Sequence, residues 1–162
     1  MSKITIHIDG ICEPNPGGVG CYAWSAQGAT AAEIASAHGL LLSGDNATNN
    51  VAEYGAVIQA LRHAQAEGWM GVQIRSDSKL VVDQINGACG CNSDSLLKYL
   101  LAARQLMEEV GAQIMWVLRD QNQRADALSR LAYWEKTGRE APERFVAKRR
   151  QALYAFNRKQ AA

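Results

Sequence analysis

No stretch of the 162 residues is apolar for the length of a bilayer span, which excludes a helical membrane protein. Internal repeats and low-complexity linkers are missing too, so solenoids and tethered modules are excluded. Net charge is scarce at +1, and 48% hydrophobic against 20% charged residues is a balance foreign to disordered chains. The four cysteines offer no metal framework: Cys89-Gly90-Cys91 is a Cys-x-Cys without neighbouring histidines, which argues against structural zinc. Cys12 and Cys21 fall on neighbouring strands and are expected as thiols in a reducing, cytoplasmic setting. The start Met-Ser-Lys-Ile-Thr-Ile leads straight into a strand, so no targeting segment is expected. What is left is one globular domain by size, long enough to bury a core without staples.

Hydrophobic periodicity divides that domain into alternating elements. Residues 3–9, 19–26 and 31–42 read as three successive strands, separated by Pro14-Asn15-Pro16-Gly17-Gly18 and by Gln27-Gly28, so two hairpins are expected. Helices are expected over 49–67, 78–86, 94–109 and 124–134, with strands over 71–76 and 113–118 between them. An antiparallel meander followed by helical crossovers specifies an α/β fold: a mixed five-stranded sheet, three antiparallel strands then parallel ones, flanked by helices. Trp24, Trp69, Trp116 and Trp134 are expected in the core. His7 is expected as a hydrogen-bonded interior residue, His38 and His63 on element surfaces without a role.

Four acids stand where these elements begin or break. Asp9 follows the alternation Ile4, Ile6, Ile8 at the carboxyl end of the first strand; Asp77 ends the run Val72, Ile74, Ser76 in the same way. Ligands collect outside the carboxyl ends of strands in open α/β sheets. Glu53 precedes Val57 and Leu61 by four and eight residues, which puts an acid on an apolar helix face, and Asp126 opens the last helix. Each acid alone has a commoner explanation: Asp9-Gly10 as a turn, Asp77 as a helix N-cap, Glu53 as a first-turn acid. Jointly they suggest convergence, and converging carboxylates need raised pKa values or cations suited to oxygen ligands, Mg²⁺ or Mn²⁺.

The motifs themselves carry a resemblance. Ile8-Asp9-Gly10 with Cys12 and Asn15-Pro16-Gly17, then Thr48-Asn49-Asn50-Val51-Ala52-Glu53, Ser76-Asp77-Ser78-Lys79-Leu80-Val81 and Asn122-Gln123-Arg124-Ala125-Asp126-Ala127-Leu128 resemble, in order, the type 1 ribonuclease H family. The likeness covers residue 3 to about residue 134, giving a catalytic domain over 1–134 and a basic C-terminal helical extension over 135–162. It implies a ribonuclease H-like fold and endonucleolytic hydrolysis of the RNA strand of RNA–DNA hybrids, leaving 5′-phosphate and 3′-hydroxyl ends. It implies that Asp9, Glu53, Asp77 and Asp126 are catalytic and hold two Mg²⁺ ions, with Mn²⁺ able to substitute. Cys12, Asn15, Thr48, Asn49, Asn50 and Lys79 are the implied substrate contacts, Thr48 to a DNA phosphate. Asn49 and Asn50 also have a reading as helix caps. No obligatory protein partner is implied.

Three features depart from the commoner pattern. No histidine lies between Trp116 and Asp126, where many relatives carry a mobile one that assists product release; Arg119 is the nearest substitute, an arrangement resembling a His-less subgroup. Lys79 replaces a frequent Gln. Residues 87–98 contain one Lys where some relatives insert a basic handle. Residues 135–162 carry eight Lys or Arg against three Glu, a net +5 that leaves −4 for residues 1–134. Phe145, Arg149, Ala152, Leu153 and Phe156 recur at helical spacing among Lys148, Arg150, Arg158 and Lys159, consistent with a helix packed on the core, with a nucleic-acid arm, or with both. Two other classes compete: a same-fold DNA nuclease of integrase or resolvase type, which leaves the Thr-Asn-Asn and Asn-Pro-Gly motifs unexplained, and a non-catalytic hybrid-binding module, which needs no fourfold acid set.

Overall fold

A computed structural model describes residues 3–142. Strands β1 (Thr5–Glu13), β2 (Val19–Gln27) and β3 (Glu33–Ser43) form the meander, followed by α1 (Asn49–Ala66), β4 (Gln73–Ser76), α2 (Lys79–Ile85), α3 (Asp94–Val110), β5 (Gln113–Trp116), a 3-10 turn over Arg119–Gln121 and α4 (Gln123–Thr137). The sheet order is β3-β2-β1-β4-β5, antiparallel from β3 to β1 and parallel from β1 to β5. The expected architecture is therefore present. No helix among the described residues is long and apolar enough to cross a membrane.

Strand parity sorts two cores. Ile6 and Ile8 face α1 and α3 with Val57, Leu61, Ile74 and Leu100 in the larger one, while Ile11 and Cys21 face α4 through Ala132 and Tyr133 in the smaller. Helix α1 runs through the middle of the molecule, touching β1, β2 and α3. Its small residues Ala52, Gly55, Ala56, Ala60 and Ala64 permit that close approach, and the helix is buried on most sides. The one-sided apolar stripe expected for it is thus a wider buried surface. At Gly10, a Cβ would stand 2.2 Å from the carbonyl carbon of Ala52 and from the nitrogen of Glu53, so glycine is what lets β1 touch the helix where Glu53 sits.

Several sequence expectations are corrected. The 3–9 strand runs four residues past Asp9, because β2 continues to pair with it as far as Glu13↔Val19; only the parallel partner β4 stops at Ile8↔Ser76. Asp9-Gly10 is therefore mid-strand and not a turn. Trp24 is buried, but Trp116 and Trp134 are 45% and 52% exposed, since β5 is an edge strand and Trp134 lies on the outer side of α4. His63 is no plain surface residue: its ring lies 4.5 Å from that of Trp24 and 5.2 Å from that of Trp69, centroid to centroid. His38 pairs with Glu135. Cys12 and Cys21 are buried free thiols. Helix α4, expected to end at residue 134, runs to Thr137, and buried Ala141 packs with Ile11, Cys21, Ala132 and Tyr133. The helical spacing from Phe145 to Phe156 and the basic residues around it lie outside the described residues.

Candidate active site

The site forms where the parallel pairing ends. Ile8 and Ser76 are the last residues paired between β1 and β4, so Asp9 and Asp77 are the next residues of two adjacent strands, and the chain leaving Asp77 turns away to open a cleft beside Asp9. Glu53 enters from the second turn of α1 and Asp126 from the first turn of α4. One carboxylate oxygen each from Asp9, Glu53 and Asp77 lies within 4.8 Å of the other two. Asp126 stands at the rim, its side chain 25% exposed, and Arg119 joins it to the triad. The Arg119 Nε is 3.3 Å from Asp77 Oδ2 and its Nη2 3.3 Å from Asp126 Oδ1.

This convergence is electrostatically expensive. Asp9 is 3% exposed, and burial, followed by the neighbouring charge of Asp77, raises its pKa to about 7 against the pull of a Ser129 hydrogen bond. Burial likewise pushes Glu53 well above the carboxylate range, with Asp9 and Asp77 adding to it. Asp77 is raised by burial and held back by Arg119. Among the described residues, Glu53 Oε2 and Asp77 Oδ2 are buried without a hydrogen-bond partner, the Arg119 contact to the latter being an ion pair without hydrogen-bond alignment. Buried oxygens of this kind, hard and unprotected by donors, are a fit for divalent cations with oxygen-rich shells.

Asn49 and Asn50 line the cleft with Asp9, Gly10 and Glu53. Thr48 caps α1, its Oγ1 accepting from Val51 N at 3.1 Å. Asn49 Oδ1 accepts from Cys12 N at 2.7 Å, and Asn15 Oδ1 accepts from Asn49 N at 3.0 Å. These bonds fix both amide orientations and direct the two NH₂ groups away from the backbone they anchor. The side chain of Cys12 is fully buried with Sγ turned to Pro14 O, and its amide holds Asn49. Lys79, 71% exposed at the start of α2, is paired with Asp83 at 2.7 Å.

Sequence reasoning missed two supports. Asn122, 1% exposed, donates from Nδ2 to Ile8 O at 2.8 Å and to Asp77 Oδ1 at 3.3 Å. Ser129 donates to Asp9 Oδ2. The helical offset of three between Asp126 and Ser129 is the signal that could have found the latter, since it sets both on one face of α4. Asn122 heads the motif before the last helix, but nothing local gives its side-chain partners, which are 114 and 45 residues away.

A family model described as Reverse transcriptase-like matches residues 41–132. The chain is 36% identical to a protein named Ribonuclease HI from Halobacterium salinarum over 130 residues, 78% of this chain and 62% of that protein. It is 37% identical over 131 residues to a bifunctional protein of Mycobacterium tuberculosis, of which it spans 34%. The chain thus spans less than two thirds of the length of these curated relatives. Among solved structures, RNase H1 from Halobacterium salinarum superposes with a TM-score of 0.77 at 32% identity, over 82% of this chain and 98% of that one. LC11-RNase H1 in complex with an RNA/DNA hybrid gives 0.70 at 29% identity, over 78% and 93%.

Proposed function

The chain belongs to the type 1 ribonuclease H family, and we propose that it hydrolyses the RNA strand of RNA–DNA hybrids endonucleolytically, leaving 5′-phosphate and 3′-hydroxyl ends. The observation that carries this reading is the triad of buried carboxylate oxygens of Asp9, Glu53 and Asp77 within 4.8 Å of one another, two of the site's oxygens lacking any hydrogen-bond donor. The acid set implies a divalent metal, and we assign two Mg²⁺ ions, with Mn²⁺ able to substitute. Asp9, from the central strand, would be shared between the ions, with Glu53 and Asp77 completing the set for one and Asp126 for the other. The chemistry such ions would supply when bound is activation of a water for in-line attack and stabilisation of the departing 3′ oxygen.

The residues around the acids do the rest. The Asn15 and Asn49 NH₂ groups, held by their own oxygens, are donors presented to the acceptor-rich edges and 2′-hydroxyls of a wide minor groove, as sequence-blind reading of a hybrid requires. Asn50 lies beside them. Thr48 spends a lone pair on the helix cap and keeps its hydrogen for a DNA phosphate at the amino end of α1. Cys12 supports this loop through its amide, and Lys79 adds a surface charge next to Asp77. Arg119 takes the part of the missing histidine, as in a His-less subgroup. The setting is cytoplasmic, and the domain over 1–134 is catalytic with a basic extension over 135–162.

The test is a gel assay on end-labelled RNA–DNA hybrid, RNA duplex and DNA duplex, each with and without Mg²⁺. Cleavage confined to the RNA of the hybrid, dependent on Mg²⁺ and leaving 3′-hydroxyl ends, is the expected result. Cutting of the DNA duplex instead would favour the integrase or resolvase reading, and binding without cleavage would favour the non-catalytic one.

A further inference from the structure

His7 is a buried imidazole on the same strand face as Asp9, 8% exposed, and nothing in the proposed chemistry uses it. Its Nδ1 lies 3.2 Å from Asn122 Oδ1. Asn122 has no spare polarity: Nδ2 donates to Ile8 O and Asp77 Oδ1, so Oδ1 can only accept, and His7 must be the donor through Nδ1–H. A flipped amide would set its oxygen against a carbonyl and a carboxylate, acceptor against acceptor. The main chain of Asn122 extends the same hub: its N–H donates to Arg119 O at 2.9 Å, and its C=O accepts from Asp126 N at 3.1 Å. One residue therefore touches the strand carrying Asp9, the carboxylate of Asp77, the turn carrying Arg119 and the amide of Asp126.

We propose that His7 and Asn122 form a positioning pair for the metal site: the imidazole N–H locks the Asn122 amide, and Asn122 sets the orientation of Asp77 and the spacing from Asp77 to Asp126. His7 touches no reacting atom and acts through Asn122. The Asp77 oxygen that Asn122 does not hold, Oδ2, is the one turned to Arg119 and left without a hydrogen bond, so fixing Oδ1 is what aims Oδ2 into the cleft. Loss of the imidazole donor would strand Asn122 Oδ1 in a buried site, and the amide would shift to recover a partner, releasing Asp77.

The inference rests on the reading of Asp77 as a metal ligand. Mn²⁺ binding to full-length protein, measured by calorimetry alongside urea unfolding, compares wild type with His7→Phe, which keeps a ring but removes the donor, and His7→Gln, which restores an N–H. The expected result is a roughly three- to tenfold loss of Mn²⁺ affinity in His7→Phe, the worth of about one hydrogen bond, with His7→Gln within about twofold of wild type. His7→Phe binding Mn²⁺ like wild type, whatever its stability, would overturn the proposal and leave His7 as core filling. A wild-type protein that binds no Mn²⁺ would sink the metal reading itself. Nitrogen NMR of unmutated protein decides the matter even if His7→Phe does not fold: a ring protonated on Nε2 alone overturns the pairing, and Nδ1–H supports it.

Discussion

Ser129 reaches across from α4 to give its hydroxyl hydrogen to Oδ2 of Asp9, three residues after Asp126 has left the same helix for the rim of the same cleft. A hydrogen bond to the charged form of a carboxylate favours ionisation, and here it opposes burial and the Asp77 charge. Ser129→Ala should therefore raise the Asp9 pKa above its present value of about 7 and make protons stronger competitors for metal. We expect turnover at neutral pH to fall roughly tenfold, in line with a bond to a charged group, and the rising limb of the pH–rate profile to move to higher pH. Ser129→Thr should keep both near wild type. A profile that stays in place, or moves down, would show that the hydroxyl does not stabilise the anion.

Asp9→Asn and Glu53→Gln should each abolish hybrid cleavage while far-UV circular dichroism stays native, because charge is removed at nearly constant volume. Retention of a tenth or more of the activity would count against their role as ligands. In the metal-free protein the same changes should raise the melting temperature. The sign follows from linkage: an acid whose pKa is raised on folding contributes stability that is whole below its unfolded pKa and lost as pH climbs through the folded one. For Asp9 that window runs from its ordinary 3.8 to about 7, with Glu53 displaced in the same direction. Metal-free wild type should thus lose melting temperature relative to Asp9→Asn as pH rises from about 4 to about 8, and saturating Mg²⁺ should remove the difference.

How much of this could be read beforehand depends on distance along the chain. The mixed sheet, antiparallel then parallel, followed from hairpins and helical crossovers, and the acids from their places at element ends, since both are local patterns. Asp9 was legible as a site residue although its strand continues, because the end that matters is that of β4, at Ser76. Cys12 misled: its motif position suggested contact with substrate, yet parity on β1 turns its Sγ into the protein. Trp116 and Trp134 misled because size favours burial, but an edge strand exposes the first and the outer side of α4 the second. His7 was legible as a hydrogen-bonded interior residue, but its pairing with Asn122 was not, because that bond joins residues 115 apart and only the closed sheet brings them together.

Arg119 spans Asp77 and Asp126, so its removal should act on the empty and the working enzyme in different ways. In metal-free protein, Arg119→Ala leaves the acids without their nearest cation and should lower the melting temperature, opposite to Asp9→Asn. In the working enzyme, a residue standing in for the product-release histidine should matter more to steady-state turnover than to single-turnover cleavage. Equal losses in both would move Arg119 to substrate positioning. An unchanged metal-free melting temperature would mean that the 3.3 Å contacts are too screened to count, as the 45% exposure of the Arg119 side chain allows.

The last prediction concerns the basic stretch that follows the described residues. Arg130 donates to Ala141 O at 2.8 Å and to Pro142 O at 3.4 Å, and Pro142 lines the cleft together with Asp9 and Glu53, so the last described residue stands at the lip of the acid site. The domain before it is short of cations, with −4 over residues 1–134 against +5 over 135–162. Each phosphate neutralised contributes about 0.9 to the slope of log affinity against log salt on duplex DNA. Replacing Lys148, Arg149, Arg150, Arg158 and Lys159 with Gln should weaken hybrid binding and flatten that slope by roughly two to four units, leaving cleavage at saturating substrate nearly intact. Filter binding across a salt series measures the slope, and thermal unfolding of the same variant separates lost contacts from lost stability. An unchanged slope would mean that these charges face solvent and that phosphate contacts come from the domain itself, Lys79 and Arg130 being the nearest candidates.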